Sequence, residues 1–347
     1  MGQILFFLME KIYKMLFFSS MTTGTMITIS SNNWLGMWMG LEINLLSIIP
    51  LLSSQKNAWE SEAALKYFIS QALASTVFLL SIMITLSEPV TTQSMNIISA
   101  QMMIMNSAIL TKMGAAPFHF WFPEVMQGIA WTNSLILLTW QKIAPMIILM
   151  NSNKPMNFIA VAIISSMLIS GIMGINQTSL RKMMAYSSIN HIGWMLGSMI
   201  SNQTIWMIYL IIYSSITLTI ILTFKKLNSF YMNQLMNKME KSKLLKMLFM
   251  LNFMSLGGLP PFIGFLPKWL TINFMIQEKM MMLILTMILT TLITLYFYLR
   301  ITFSAMMIST QEMTTKTNNK INFSFITTMN LITILSLPLS TMMLNFL

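Results

Sequence analysis

Long apolar runs separated by short polar loops extend along the whole sequence. Most of these runs have about 20 residues, the length that a helix needs to cross the hydrocarbon core of a bilayer. Runs of about ten residues with alternating apolar and polar positions, which are typical of a membrane β-barrel, are absent from the sequence. The pattern predicts an all-α membrane protein with about eleven spans, at 4–29, 33–52, 60–86, 96–128, 129–150, 156–176, 180–200, 204–224, 244–277, 281–308 and 322–346.

Two of the predicted spans, 96–128 and 244–277, are interrupted by related sequences. Residues 114–124 read GAAPFHFWFPE and residues 258–268 read GLPPFIGFLPK, so that glycine, proline and aromatic positions recur in register 144 positions apart. Glycine and proline leave backbone amides and carbonyls unpaired, and lipid cannot satisfy them. The residues predicted to break the two helices are Gly114, Pro117, Pro123, Gly258, Pro260, Pro261 and Pro267. Broken helices at corresponding positions of two halves indicate the ion path of a transporter.

Composition restricts the chemistry that the chain can perform. Of its 347 residues 56% are hydrophobic and only 8% are charged, against about 25% charged in a typical soluble protein. The lack of cysteine in the sequence excludes disulfides, thiolate metal sites and iron–sulfur clusters. The two histidines, His119 and His191, are too few to predict a haem or metal centre. Nucleotide-binding and hydrolase motifs do not occur either, so we expect no cofactor on this chain.

Basic residues are distributed unequally between the two sets of loops. Two lie on one side of the predicted membrane, Lys154 and Lys279. Thirteen lie on the other side, namely Lys11, Lys14, Lys56, Arg181, Lys182, Lys225, Lys226, Lys238, Lys241, Lys243, Lys246, Lys316 and Lys320. Because basic loops stay on the cytoplasmic or matrix side, the N-terminus is predicted there and the C-terminus opposite. The net charge of +11 is spread over these loops, which argues against a nucleic-acid partner, and the segment 228–243 is predicted to be a solvated loop or a short interfacial helix.

The order of the predicted spans suggests an internal repeat. Five spans separate corresponding points of the two breaks, an odd number, so the second break is predicted to be inserted upside down relative to the first. The chain is then a single transmembrane domain with two inverted five-helix repeats, at about 4–150 and 156–308, and one extra helix at 322–346. Outside the breaks the two halves share little residue identity, so the repeat is a structural hypothesis.

After the charges assigned to the loops are set aside, five charged residues within the predicted spans are singled out: Glu42, Lys66, Lys112, Lys142 and Lys268. A charge at the centre of a membrane helix costs about 2.5–3.5 kcal/mol on insertion scales, so we expect these residues to face protein or water and to mark a proton path. Burial disfavours a charged lysine and a neighbouring carboxylate favours it, so a lysine with a movable counter-charge can be loaded and emptied. The structural alternatives are a permanent ion pair for Glu42 and a salt bridge of Lys66 with Glu62, four residues earlier.

The histidines and Glu124 are further candidates. His191, in the predicted span 180–200, suits a relay between lysines because imidazole titrates near neutral pH, but a membrane histidine is as often a plain helix contact. His119 lies inside the first break, where its ring is expected to bond to a freed backbone group. Glu124 is expected near the end of the broken helix, in contact with water or a neighbouring subunit.

Five segments of the sequence resemble a known family. They are WMGLEIN at 38–44, EAALKYF at 62–68, KMGAAPFHFW at 112–121, LTWQK at 138–142 and GGLPPF at 257–262. From about residue 30 onward the chain is similar to the antiporter-like, proton-translocating membrane subunits of mitochondrial respiratory complex I, in an animal and insect-like form. That family is related to multisubunit cation/proton antiporters. Its full fold has fourteen helices, and its animal members resemble that fold with the first three missing.

The resemblance implies a core subunit of complex I in the mitochondrial inner membrane, which translocates protons while other subunits transfer electrons from NADH to ubiquinone. NADH, flavin, iron–sulfur clusters and ubiquinone would be bound elsewhere, and the partners would be other membrane-arm subunits, including antiporter-like neighbours, and membrane lipids. The N-terminus would lie in the matrix and the C-terminus in the intermembrane space. Carried over residue by residue, Glu42 and its partner Lys66 would set the charge of Lys112, and protons would pass along Lys112, Lys142, His191 and Lys268. The alternatives are a stand-alone sodium/proton antiporter and a structural scaffold of the membrane arm.

Overall fold

The computed structural model describes residues 2–54, 57–87, 95–152, 155–239, 243–260 and 262–307. Within these ranges the chain is almost entirely helical, and one isolated bridge, between Ser179 and Tyr231, is the only extended pairing. The predicted last span, 322–346, lies outside the described residues, so the structure does not test it.

The described chain contains fourteen α-helices, α1 to α14. They are Gly2–Ser30, Trp34–Leu52, Ala58–Ser87, Met95–Met113, Trp121–Gly128, Trp131–Leu138, Ile143–Asn151, Met156–Ile175, Leu180–Ser201, Gln203–Leu227, Met232–Met239, Lys243–Gly257, Phe265–Gln277 and Met281–Met307. Within the described residues six segments are long and apolar enough to cross a membrane: Trp34–Leu52, Ala58–Ser87, Trp131–Asn151, Met156–Ile175, Gln203–Leu227 and Met281–Ser304. The all-α membrane class is thus confirmed, whereas the count of eleven spans stays a prediction.

The chain forms two compact units. The first ends at Ser165 and contains α1 to α7, the second begins at Ser166 and contains α9 to α14, and α8 crosses the boundary between them. Each unit holds one of the two interrupted spans, which the structure divides into α4 and α5 in the first unit and α12 and α13 in the second. Each unit can therefore be described as one helix break and the helices of the same unit.

In the first unit, backbone packs against backbone where α1 crosses α2. A Cβ atom on Gly40 would lie 2.8 Å from the backbone nitrogen of Thr28 and 2.9 Å from the carbonyl oxygen of Gly24. A Cβ on Gly24 would lie 2.9 Å from the backbone nitrogen of Asn44. Small residues that permit such close approach drive helix packing in membranes, where lipid is as apolar as the side chains. This contact fixes the part of α2 that carries Glu42.

Gly40→Ala is expected to destabilise the first unit by about 1–3 kcal/mol, the usual cost of adding atoms where there is no space. Heat denaturation of the protein in its native membrane measures the loss. Gly36→Ala is the matched control one turn earlier on α2, because its Cβ would meet only the Ser31 side chain, at 3.0 Å and beyond. Equal losses in the two variants would show that helix propensity, and not the crossing, sets the effect.

The predicted span 129–150 corresponds to Trp131–Asn151, which is long and apolar enough to cross a membrane, but its helix changes geometry part-way along. α6 ends at Leu138, a short 3-10 helix covers Trp140–Lys142, and α7 begins at Ile143. Pro145 accounts for the change, because its ring excludes a regular turn before it, whereas a proline within the first turn of a new helix loses no hydrogen bond. As a result Lys142 occupies the N-cap position of α7, without a capping hydrogen bond from its side chain.

The basic segment after α10 has a defined structure as far as Met239. It contains the short helix α11, one of the two alternatives that the sequence predicts. A backbone hydrogen bond of 3.2 Å from Met232 to Thr178 joins its start to the turn before α9. Lys238 Nζ donates to the carbonyls of Leu227 and Asn228, at 2.6 and 2.8 Å. This lysine therefore satisfies the free carbonyl end of α10.

Candidate functional site

The two interrupted spans stop in the same way. α4 and α12 are each followed by a glycine with a left-handed backbone, Gly114 at φ +74° and Gly258 at φ +75°. The amide of each glycine donates to the carbonyl three residues earlier, and the next amide donates to the carbonyl five residues earlier, over 3.0–3.3 Å. This is the Schellman arrangement, which favours glycine because a side chain is strained at such a φ.

The turns that follow the two glycines also share hydrogen bonds. The amides of Phe118 and Phe262 each close a four-residue turn by donating to the carbonyl three residues earlier, at 2.9 and 3.0 Å. The amides of Phe122 and Leu266 close the next such turn, at 3.0 and 3.1 Å. These pairs are 144 positions apart, the spacing of the two sequence copies. The similarity of the copies therefore extends to their backbone, while the inverted relation of the two halves stays a prediction.

The prolines lie where they cost no helical hydrogen bond. Pro123 and Pro267 are each the third residue of the half-helix that follows a break, α5 and α13, and so lie in a first turn. Pro117 and Pro260 lie in the connecting turns. Pro261 lies outside the described residues. The positions of the four described prolines explain why each span consists of two half-helices.

In the first unit, neutral side chains donate hydrogen bonds to carbonyls at the end of α4. Trp121 Nε1 donates to the carbonyl of Thr111 at 3.0 Å. Gln71 Nε2, from α3, donates to the carbonyl of Lys112 at 3.4 Å. These two bonds meet the requirement that backbone groups at membrane depth find partners inside the protein. The ammonium group of Lys112 takes no part in these two bonds and is available for another role.

Lys112 is buried beside a small polar cavity. The residue is 8% exposed, and its Nζ has no hydrogen-bond partner among the described residues. The cavity has a volume of about 20 Å³, enough for one water molecule. Its polar lining is formed by Asn44, Tyr67, Gln71, Lys112 and Gln141. An ammonium next to a polar space of this size is the arrangement that proton exchange with water requires.

Glu42 acts on Lys112, whereas Lys66 has other partners. The Glu42 carboxylate is close enough to attract the Lys112 ammonium, and its Oε1 is buried without a hydrogen-bond partner among the described residues. Lys66 Nζ lies 3.1 Å from a carboxylate oxygen of Glu62 and 3.1 Å from one of Glu124. The predicted salt bridge with Glu62 is therefore confirmed.

The expected pairing of Lys66 with Glu42 is corrected by these contacts, because the i, i+4 spacing on α3 and the position of α5 supply two nearer carboxylates. Glu124, expected near the end of the broken span, lies in the first turn of α5 and reaches Lys66 on α3. Its side chain is 59% exposed, and that of Lys66 is 45% exposed. The ion pair is thus at the surface of the unit, apart from the buried Lys112.

Lys142 is almost fully buried, at 2% exposure. It is the last residue of the 3-10 helix and precedes α7 directly. The N-terminus of a helix carries a partial positive charge, so this position provides no stabilisation of an ammonium from the helix that follows it. The neighbouring residue Gln141 lines the cavity beside Lys112.

The side chain of Lys268 is buried at the second break and bonds to backbone carbonyls there. The residue is 6% exposed, and its Nζ donates to the carbonyls of Gly257 at 2.9 Å and Leu256 at 3.5 Å. Nζ also lies 5.7 Å from the ring centroid of Trp194, within the range of a cation–π contact. A Cβ on Gly258 would lie 2.8 Å from Lys268 Cδ. In the second unit, the ammonium group of Lys268 therefore donates to carbonyls at the end of α12. In the first unit, an amide and an indole donate to carbonyls at the end of α4.

Both histidines are buried and hydrogen-bonded. His119 Nδ1 donates to the carbonyl of Pro117 at 3.3 Å, which is the backbone contact expected for it. His191 Nδ1 lies 2.9 Å from the hydroxyl of Tyr209. In the part of the chain that the structure describes, neither belongs to a group of three or more side chains that could bind a metal ion.

Sequence reasoning did not identify the uncharged polar residues around the lysines. Gln141 Nε2 donates to Asn44 Oδ1 at 2.9 Å, and both side chains line the cavity with Gln71. In the second unit Tyr209 contacts His191. The sequence feature that could have indicated these residues is that amide side chains are rare inside apolar runs. A single sequence does not indicate which of these side chains meet, because they come from different helices.

Comparison with known proteins identifies the family. The family model described as NADH:quinone oxidoreductase/Mrp antiporter, TM matches residues 31–294. NADH-ubiquinone oxidoreductase chain 2 of Anopheles gambiae is 48% identical over 315 residues, which cover 90% of this chain and 92% of that protein. The chain belongs to the NADH-ubiquinone oxidoreductase chain 2 family. The chain 2 protein of Locusta migratoria is 47% identical over 328 residues, with 92% and 95% of the two chains covered.

A solved structure shares the fold of this chain 2 family member. The structure, respiratory complex I from Thermus thermophilus with bound Aureothin, contains a chain that superposes with a TM-score of 0.83 at 23% identity. The match covers 94% of this chain and 78% of that chain. The resemblance that the five sequence segments indicate, including its insect-like form, is therefore confirmed, and the fold is that of an antiporter-like subunit of complex I.

Proposed function

We propose that this chain is a proton-translocating subunit in the membrane arm of mitochondrial complex I, and that other subunits transfer electrons from NADH to ubiquinone. The observation that carries the proposal is the environment of Lys112. A buried ammonium without a hydrogen-bond partner among the described residues lies beside a water-sized polar cavity, within electrostatic range of the Glu42 carboxylate and directly before a helix break. Membership of the chain 2 family supports the cellular context.

The charged residues have distinct proposed roles. Glu42 sets the charge of Lys112 by attraction, and Lys66, held by Glu62 and Glu124, contributes from the surface. In the first unit protons pass between Lys112 and Lys142, and in the second unit His191 and Lys268 load and release them. The helix-break residues keep the backbone open at these positions.

The energy required to move one proton is no larger than the energy that rearranging one ion pair can supply. Moving one proton against 100 mV needs about 2.3 kcal/mol. Opposite charges about 6 Å apart interact by about 3 kcal/mol at an effective dielectric constant of about 20. Shifting the Glu42 carboxylate relative to Lys112 is therefore sufficient to load or empty the lysine, and the shift is driven by neighbouring subunits.

The proposed assembly extends these roles to the complex. The chain has eleven spans in two inverted five-helix repeats and one additional helix, with its N-terminus in the matrix and its C-terminus in the intermembrane space. It carries no redox centre, and NADH, flavin, iron–sulfur clusters and ubiquinone are bound by other subunits. Its partners are neighbouring membrane-arm subunits, including antiporter-like chains, and lipids of the inner membrane.

Glu42→Gln tests the proposed control of Lys112 by charge. Glutamine has the shape of glutamate but lacks its charge, so we expect the rate of proton pumping by the assembled complex in liposomes to fall about tenfold, equivalent to ~1.4 kcal/mol. Glu60→Gln is the control in the same unit, since Glu60 accepts a hydrogen bond from Asn57 at the exposed start of α3. A wild-type rate in Glu42→Gln would contradict the proposed role, and a sodium-dependent exchange without NADH would favour a stand-alone antiporter.

A further inference from the structure

A cluster of buried polar side chains surrounds His191 in the second unit. Each member is at most 4% exposed. They come from α9, α10 and α14, and are Ser187, Ser188, Asn190, His191, Tyr209, Tyr213, Thr294 and Tyr298. Polar groups inside a membrane protein are costly to bury, and where they gather they indicate a proton or substrate path.

His191 has a direct phenol partner in this cluster. Its Nδ1 lies 2.9 Å from the Tyr209 hydroxyl, and its ring centroid lies 4.9 Å from that of Tyr213. Neutral imidazole accepts a proton at one nitrogen and donates one at the other, and a phenol hydroxyl both donates and accepts. A proton can therefore pass between Tyr209 and His191 in either direction while the phenol stays neutral.

Further hydroxyls extend from this pair. The Tyr209 hydroxyl is within electrostatic range of the hydroxyls of Tyr213 and Tyr298. Tyr213 in turn interacts with Ser188, and the Tyr298 hydroxyl is buried without a hydrogen-bond partner among the described residues. A purely structural contact between α9 and its neighbours needs one acceptor for one donor. Two phenols that contact the imidazole, and a third buried phenol on α14, exceed that need and supply hydroxyls with which protons can be exchanged.

We propose that Tyr209 relays protons to and from His191 and that the hydroxyls of Tyr213 and Tyr298 extend this relay. When Tyr209 Oη gives its proton to Nδ1 of the neutral imidazole, it takes a proton from a neighbouring hydroxyl, which is reprotonated in turn by a hydronium ion that becomes water. Every hydroxyl therefore ends neutral, and the imidazolium carries the one added proton and its charge. The reverse transfer restores the first state. This inference rests on the proposed function and adds three tyrosines to the residues that carry it.

Tyr209→Phe tests the relay in the assembled complex reconstituted into liposomes. Phenylalanine keeps the ring and removes only the hydroxyl. We expect NADH-driven proton pumping to fall at least ~10-fold, because a positioned proton-transfer group commonly contributes ~10²–10⁴-fold, and its solvent deuterium isotope effect to rise. In a His191→Gln background the same change should add no further loss, since both substitutions interrupt one transfer.

Tyr296→Phe is the matched control, because Tyr296 lies on α14 two residues before Tyr298 and is 58% exposed. We expect it to pump at the wild-type rate. Tyr213→Phe, which leaves the Tyr209 hydroxyl bonded to His191, is a second variant in case Tyr209→Phe does not assemble, and should give a smaller loss with the same rise in isotope effect.

The outcomes separate the relay from the proposed function. A wild-type pumping rate and isotope effect in assembled Tyr209→Phe or Tyr213→Phe would overturn the relay. A lower rate with an unchanged isotope effect, and additional loss in the His191→Gln background, would also overturn it by showing a structural contact. If only the tyrosine variants pump normally while Lys112→Met does not, the proposed function stands. If Lys112→Met pumps normally as well, both fail.

Discussion

Complex I that carries Lys112→Met is expected to assemble normally and to lose most of its NADH oxidation. Lys112 Nζ makes no hydrogen bond to the described residues, so methionine, which has a similar length, breaks no hydrogen bond there. The change removes the group that exchanges protons at the cavity. Because positioned proton-transfer groups contribute ~10²–10⁴-fold, we expect the rate of NADH:ubiquinone oxidoreduction in intact membranes to fall at least ~10-fold.

The control for this prediction is Lys225→Met. Lys225 is an exposed lysine in the last turn of α10, so its loss removes the same charge without touching a cavity or a break. Its effect should be limited to a helix-end interaction of about 0.3–1 kcal/mol, with the oxidation rate unchanged. Native gel electrophoresis establishes that both variants assemble. Equal rates in the two assembled variants would refute the special role of Lys112.

Lys268→Met is expected to lower stability as well as activity. In the protein interior, Lys268 Nζ donates to the carbonyls of Gly257 and Leu256, and methionine cannot replace these bonds. A buried carbonyl left unsatisfied costs about 1–3 kcal/mol, so the melting temperature of the complex should fall together with the rate of NADH oxidation. The contrast with Lys112→Met follows from the different ways in which the two breaks are closed.

Lys279→Met is the matched control for the second lysine. Lys279 lies just after α13, the same half-helix that carries Lys268, and is exposed with a left-handed backbone at φ +60°. Methionine adopts this backbone at the same cost as lysine, so melting temperature and rate should both stay at the wild-type level. If Lys268→Met had the same melting temperature as this control, the claim that the Lys268 ammonium stabilises the second break would be wrong.

The course of the helices could be predicted from the sequence because it depends on local properties. Apolar runs of span length and the positions of glycine and proline are visible in a single chain, and they place the breaks at Gly114 and Gly258. The structure adds that both breaks use one backbone geometry, with a Schellman turn and two following turns. Buried lysines were also predictable, because a charge in a long apolar run has few alternatives to facing protein or water.

The contacts between helices could not be predicted in the same way. The pairing of Lys66 with Glu124, and the bond from Gln141 to Asn44, join residues whose separation in sequence carries no signal. The 3-10 helix before Pro145 depends on local geometry, but it could not be predicted because it lies within a long apolar run. The tyrosines around His191 could not be singled out from the sequence, because aromatic residues in membrane helices usually pack against neighbours.

The initial rate of proton translocation after addition of NADH, measured in liposomes that contain assembled complex I with Lys112→Met, tests the central claim most directly. The account predicts a rate at least ~10-fold below that of the wild-type complex and of the Lys225→Met control. A wild-type rate in a variant assembled to the wild-type level would contradict the claim that this chain translocates protons through Lys112.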